Sequence, residues 1–375
     1  MDDDVLYRDL QRHLDRMPIP FPATRSGVEL RILRRLFSPE DARITLCLSA
    51  LPETLPVVHR RLKGEMTREA LGRALDSLAE RGLIQRLPGK RGPQYMKSVF
   101  VVGIYESQLN RLTPELERDV RQYIDEALGA ALYTKERSPQ MRVVPVNRTI
   151  VPERAVARYD DIRGVIRESA GPFAAMPCIC RQGKGLTGEP CKQSQTAENC
   201  LTIGVAAEAM VSRGLARFLT RDEMLAKLDL ADREGLVLEP QNAQDPIFVC
   251  CCCGCCCGVL TTAKKLPQPA EFFQATYRAA VDPAVCQACG MCETRCQMDA
   301  VTNSTEAARV EDARCIGCGL CVSTCPSGAL RLEPREHVKA PPADTAALYT
   351  QIFRERYGPW GMVSMVGRKA LGMKF

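Results

Sequence analysis

Eight cysteines near the C-terminal end repeat one spacing twice. Cys286, Cys289, Cys292 and Cys296 follow C-x2-C-x2-C-x3-C, and so do Cys315, Cys318, Cys321 and Cys325, with Pro326 after the second set. Three thiolates two residues apart can curl around three irons of a cubane, while the fourth, three residues on, points away and reaches the neighbouring cluster. The pattern predicts two [4Fe-4S] clusters whose ligand sets cross. Four thiolates also suit Zn2+, but zinc sites pair two C-x2-C hairpins and do not run three cysteines at this pitch.

A second group of cysteines lies upstream. Cys178, Cys180, Cys191 and Cys200 form C-x-C-x10-C-x8-C, a set that could hold a third iron–sulfur cluster or, as the alternative, one zinc. Arg181, Lys184 and Lys192 stand among them, and cationic neighbours favour thiolate over thiol. Gly183, Gly185 and Gly188 spell G-x-G-x-x-G. A dinucleotide fingerprint needs a preceding strand and a following helix. This stretch, bracketed by Cys180 and Cys191 and followed by Pro190, reads instead as a loop turning around a cluster.

Then come Cys250, Cys251, Cys252, Cys253, Cys255, Cys256 and Cys257, broken by Gly254 and closed by Gly258. Successive side chains diverge, so at most three or four of the seven can ligate one centre. The remainder would ligate another centre, act as reactive thiols or pack as small hydrophobes.

The rest of the chain must position these sulfurs. An amphipathic helix is expected over Val5 to Arg16, with prolines breaking Met17 to Pro22. Ser38, Pro39 and Asp41 read as a helix start, and Leu55 to Leu62 as another helix. From Thr67, Leu71, Leu75 and Leu78 give a buried stripe ending near Gly82. Leu83 to Leu87 and Tyr95 to Val102 then form a hairpin. Helices followed by a hairpin make a winged-helix-like pattern, in which Arg68, Arg73, Arg81, Lys90 and Arg91 could meet DNA phosphates. Glu69, Asp76 and Glu80 on the same helix dilute that field, so DNA is the less favoured partner and protein docking the alternative use.

Thr113 and Pro114 start a helix to about Ala131, and Ser138 to Pro152 is expected to cross between domains as an extended segment. Leu201 to Arg213 reads as a helix. Thr220 and Glu223 make a capping box for a further helix ending at Gly235, with Leu236 to Leu238 extended. Beyond the last cysteines, Thr345 to Tyr357 reads as a helix. A tail of Trp360, Val363, Leu371 and Phe375, interleaved with Arg368 and Lys369, could touch a membrane surface peripherally.

Composition sets bounds on these readings. A chain of 375 residues, 45% hydrophobic, is long enough for two or three globular domains. Twenty cysteines without an apolar leader or a run of about 18 apolar residues place the chain in the reducing cytoplasm. A net charge of +6 decides nothing about nucleic acid. His13, His59 and His337 are far apart, which argues against histidine-based metal chemistry.

The repeat at 286–326, with Val281, Asp282 and Pro283 leading into the first set and Glu311, Asp312 and Ala313 into the second, resembles a bacterial two-cluster ferredoxin domain. The resemblance implies that Cys286, Cys289, Cys292 and Cys325 hold one cluster, and Cys315, Cys318, Cys321 and Cys296 the other. Gln297 departs from the family's usual proline after the fourth cysteine, which Pro326 keeps. Cys178-Ile179-Cys180-Arg181, then Cys191, Cys200 and the run at 252–258, are similar to a group of multi-domain iron–sulfur proteins from bacteria. That likeness extends to Gly27 to Phe37 and the winged-helix-like segment. It implies electron transfer and an additional iron–sulfur centre, with no defined substrate.

The expected architecture is α+β. A winged-helix-like domain covers 1–137, a Cys-rich metal-binding domain 138–265, a dicluster ferredoxin domain 266–335, and a helix and tail 336–375. The expected function is relay of single low-potential electrons to a redox partner protein. The alternatives are a redox-sensing regulator acting through the winged helix, and a reductase whose central centre is the active site. Oligomeric state is open.

Overall fold

The computed structural model describes residues 3–62, 64–132, 138–146, 158–336, 339–370 and 373–374. His337 and residues 147–152 lie outside them, as do Leu371 and Phe375. The chain divides into two units, Met1–Leu132 with Tyr349–Phe375, and Tyr133–Leu348.

In the first unit, α1 (Asp3–Asp15) buries Leu6, Tyr7, Leu10 and Leu14 on one face. After α2 (Val28–Leu36), α3 (Pro39–Thr45) begins at a capping box in which Ser38 and Asp41 each satisfy the other's backbone N–H. β1 (Glu53–Thr54) and α4 (Leu55–Arg61) lead to α5 (Arg68–Glu80), capped by Thr67 and buried along Leu71, Leu75 and Leu78. β2 (Ile84–Leu87) and β3 (Gln94–Lys97) pair as an antiparallel hairpin, with β1 on the other edge of β3. The second arm stops at Lys97, short of the expected Val102. The Lys97 N–H is taken by the Ser49 carbonyl at 3.0 Å, and its buried ammonium donates to the His13 carbonyl at 2.7 Å. α6 (Pro114–Tyr123), capped by Thr113, continues helically into α7 (Gly129–Leu132).

The second unit opens with an extended stretch, 141–146, that bridges to Leu238 and Gln241 and ends with the Val146 N–H on the Cys318 carbonyl at 3.0 Å. It lies within this unit. α8 (Ile162–Glu168), β4 (Phe173–Pro177), α9 (Ile179–Leu186), β5 (Glu198–Ile203), α10 (Val205–Ser212), β6 (Arg217–Leu219), α11 (Arg221–Arg233), β7 (Val237–Pro240) and β8 (Phe248–Cys252) follow. The strands make one antiparallel sheet in the order β6-β4-β5-β8-β7.

Two sequence expectations change here. The helix read over Leu201 to Arg213 is strand β5 up to Ile203, with α10 starting after Gly204 at φ 61°. Leu201 and Ile203 enter the core while Cys200 and Thr202 face the other way, a period of two that only a sheet accommodates. The stretch from Cys178 is not an open loop, because Cys178 caps α9. The preceding strand of a dinucleotide fold therefore exists, but Gly183 and Gly185 sit inside the helix, not in the turn before it, so the fingerprint still fails.

α12 (Gly258–Ala263) and α13 (Pro269–Phe272) lead into a repeat built of β9 (Tyr277–Val281), α14 (Met291–Arg295), β10 (Val301–Asn303), β11 (Ala308–Val310), α15 (Leu320–Ser323) and β12 (Leu330–Pro334). β9 pairs with β12 and β10 with β11, both antiparallel. One hydrophobic core runs from Val143 through the five-stranded sheet to Leu332, so the Cys-rich region and the repeat share it.

α16 (Thr345–Ala370) breaks at Gly358, φ 67°, before Pro359, and then resumes beyond the expected end at Tyr357. In the first unit Arg356 pairs with Asp15 at 2.9 Å and donates to the Met17 carbonyl. Trp360 and Val363 are exposed. No helix among the described residues is long and apolar enough to cross a membrane.

Candidate metal centres

The register of the five-stranded sheet sorts the central cysteines. Cys200 lies opposite Cys250, and Cys250 opposite Glu239, across β5, β8 and β7. Directly opposed residues of an antiparallel pair share a face, so Cys200, Cys250, Cys252 and Glu239 form a polar row. Cys251, one residue out of phase, opposes Leu238 and enters the apolar core, where burial pushes its thiol up to about 12.

Cys178 and Cys180, at the start of α9, join the polar row. The Cys178 thiol meets Cys180, Cys180 meets Cys257, Cys257 meets Cys252, and Cys252 and Cys200 both meet Cys250. The hydrogen bonds from Cys200 and Cys252 hold the Cys250 thiol far below its ordinary range. Glu239 is wholly buried, within 4.8 Å of the Cys252 and Cys257 sulfurs, and neither carboxylate oxygen has an N–H or O–H donor among the described residues. Burial, then the Cys250 sulfur, drives its pKa well up. A buried acid whose one donor is the Cys252 thiol stays neutral unless a cation joins it. The sequence reading missed Glu239. Its signal is a lone acid inside the apolar run Leu236–Pro240.

Cys191, Cys253, Cys255 and Cys256 form a second set, all four sulfurs within 4.8 Å of one another. The sequence grouped Cys191 with Cys178, Cys180 and Cys200, which fall outside this quartet. Glu234, at the end of α11, fixes the loop that carries Cys191 by accepting from Ser194 Oγ at 2.5 Å and Thr196 Oγ1 at 2.7 Å. The buried Arg181 donates to Ser194 Oγ, the Thr196 carbonyl and the Cys251 carbonyl. The Cys256 thiol, and then Arg181, hold Cys253 below its usual pKa. Burial would weaken the Arg181 cation, but the Cys253, Cys178 and Cys191 sulfurs outweigh it and raise its pKa.

In the C-terminal repeat the backbone follows the cysteine spacing. Left-handed residues recur 29 positions apart as Ala288 and Gly317, Gly290 and Gly319, and Asp299 and Gly328, the interval that separates Cys286 from Cys315. At Gly317 only glycine fits, because a Cβ would strike the Tyr277 carbonyl. Cys296, Cys315, Cys318 and Cys321 line one pocket with Ile316 and Leu320. The Ala279 N–H donates to Cys315 Sγ and the Ala300 N–H to Cys296 Sγ, both at 3.3 Å. Cys286, Cys289 and Cys292 are electrostatic neighbours, with Cys289 exposed. Cys325 Sγ faces Ser327 Oγ at 3.6 Å. The pocket and the inward sulfurs fit a thiolate-bound cluster, which supplies one-electron chemistry when bound.

A comparison with curated proteins finds no match. A family model described as a 4Fe-4S binding domain matches residues 308–331, the second half of the repeat with Cys315, Cys318, Cys321 and Cys325. The chain therefore carries a 4Fe-4S binding domain near its C-terminal end, beside a cysteine-rich region with metal-binding geometry.

Proposed function

We infer that the protein transfers single electrons through two [4Fe-4S] clusters in the 286–325 repeat and a third cysteine-ligated iron–sulfur centre on the polar face of the five-stranded sheet. The observation that carries this is the 29-residue recurrence of left-handed backbone positions in step with both cysteine sets. Cys286, Cys289 and Cys292 with Cys325 hold one cluster, and Cys315, Cys318 and Cys321 with Cys296 the other. The third centre draws its ligands from Cys178, Cys180, Cys200, Cys250, Cys252 and Cys257, with Glu239 beside them. The Ala300 and Ala279 backbone N–H groups, donating to the Cys296 and Cys315 sulfurs, stabilise thiolate charge and tune potential.

Electron exchange with a partner protein takes place at the first cluster. Cys289 is exposed there, and Val285 and Met291 flank it as exposed apolar residues. Anaerobic iron and sulfide analysis tests the reading: about eight irons from the repeat, and about four more from the central centre, with equal sulfide. Sulfide-free protein would sink it.

A second reading makes the first unit a winged helix that answers to cluster state, and the helix–helix–hairpin order with sheet order β1-β3-β2 favours it. Of the five basic residues for DNA, Arg81 is already held by Asp41 at 2.6 Å, which weighs toward protein docking. Glu239, a carboxylate among thiols, is what favours a reductase site at the central centre. Salt-dependent DNA binding, and turnover with a chemical reductant, test these two readings. The exposed Trp360 and Val363 suit peripheral membrane contact.

A further inference from the structure

The four sulfurs of the second set are too close together for a cubane. Cys191 Sγ lies 3.7 Å from Cys253 Sγ and 3.8 Å from Cys255 Sγ, while Cys255 Sγ lies 3.5 Å from Cys253 Sγ and 3.6 Å from Cys256 Sγ. Four thiolates at about 2.3 Å from one tetrahedral ion stand about 3.8 Å apart. In a cubane each thiolate bonds a different iron, so the sulfurs spread around a cluster, not around one atom. The molecule offers its own contrast: among the described residues, no three sulfurs of the 286–325 repeat lie within 4.8 Å of one another.

We propose that Cys191, Cys253, Cys255 and Cys256 bind a single divalent ion, zinc or one iron, as a tetrathiolate separate from the iron–sulfur centres. The ligand choice follows from the backbone. Cys252 and Cys257 turn to Glu239, and the residues between them, in the turn after β8, present three sulfurs to the other side. Cys191 completes the tetrahedron from a loop that Glu234 holds in place. A dication with four thiolates carries two net negative charges, and the buried Arg181 beside Cys253 offsets part of that. The Lys192 N–H, next to Cys191, faces the Cys255 sulfur. The ion clasps the 191–197 loop to the cysteine run.

This inference goes beyond the electron-transfer reading and stands without it. The test uses the full chain, purified anaerobically, with zinc, iron and acid-labile sulfide measured on one sample and metal-edge X-ray absorption on the same material. The expected result is one zinc per chain with four sulfur neighbours at about 2.3 Å, or iron exceeding sulfide by one per chain. Cys191→Ser should lose that one ion and leave the iron matched by sulfide unchanged. If the variant does not fold, the absorption spectrum of the unaltered chain still decides. Zinc-free protein with iron equal to sulfide overturns the proposal, as does a Cys191→Ser variant that loses iron and sulfide together. Absence of sulfide with the single ion present would sink the electron-transfer reading alone.

Discussion

Gln297 Oε1 accepts a hydrogen bond from the Gly254 N–H at 2.8 Å, and the Gln297 carbonyl occupies the space where a Cβ on residue 254 would sit. Cys296 and Cys253 are the adjacent residues, so this contact couples a cysteine of the C-terminal repeat to one of the central quartet. It also accounts for a glutamine where the ferredoxin resemblance leads one to expect proline. Proline has no side-chain amide to satisfy the Gly254 N–H.

Gln297→Ala leaves a half-buried N–H unpaired and should cost about 1–2 kcal/mol. Gly254→Ala forces a methyl against the Gln297 carbonyl, with a cost of about the same size. Denaturant unfolding under anaerobic conditions measures both. Stability equal to that of the unaltered chain in both variants would remove the contact from the account.

Cys250 and Cys251 should differ sharply despite being neighbours. Cys250→Ala should strip iron from the central centre, because its sulfur faces Cys200, Cys252 and Glu239. Cys251→Ala should keep all metal and lose about 1 kcal/mol of packing. Iron analysis on the two variants side by side checks the face assignment.

The crossing of ligand sets predicts which variants behave alike. Cys325→Ala and Cys289→Ala should abolish the same electron paramagnetic resonance signal, and Cys296→Ala and Cys318→Ala the other. If Cys325→Ala groups instead with Cys318→Ala, the ligands do not cross.

Two buried bases in the first unit, whose charged forms burial disfavours, predict its pH response. Burial, then Lys97, lowers His13 from 6.5 to about 2, with its Nε2 on the Leu48 carbonyl. The folded pKa is below the unfolded one, so stability is full above about pH 6.5 and falls with acidification toward pH 2, by up to about 6 kcal/mol. Burial lowers Lys97 from 10.5 to about 7. Here the unfolded chain binds more protons between pH 7 and 10.5, so stability rises over that window. Lys97→Met should flatten that rise and stabilise the unit at neutral pH by a few kcal/mol, less the lost bond to the His13 carbonyl. Thermal unfolding across pH 3 to 10 reads both effects.

Removing the exposed apolar rim should weaken partner docking and leave the clusters intact. Val285→Asp with Met291→Asp, both at exposed positions, should slow electron exchange with a protein acceptor by tenfold or more. Reduction by a small chemical reductant should be unaffected. Equal slowing of both reactions would place docking elsewhere.

The sequence by itself determined the C-terminal repeat, because consecutive cysteines at fixed pitch specify their own backbone: the loop residues at 288, 290, 317 and 319 are left-handed in register with the sulfurs. Local signals also sufficed for helix starts. Ser38 with Asp41 and Thr220 with Glu223 are capping boxes in the structure. The tertiary structure alone decided how the central cysteines divide. Cys250 and Cys251 are adjacent in sequence, and only the pairing of β8 with β5 and β7 turns one to Glu239 and the other into the core. Cys191 is 62 residues from Cys253, and a chain closing so long a loop carries no local mark of its partner. Glu239 needed the fold as well, since a lone acid in an apolar strand has no meaning until the sheet sets sulfurs opposite it.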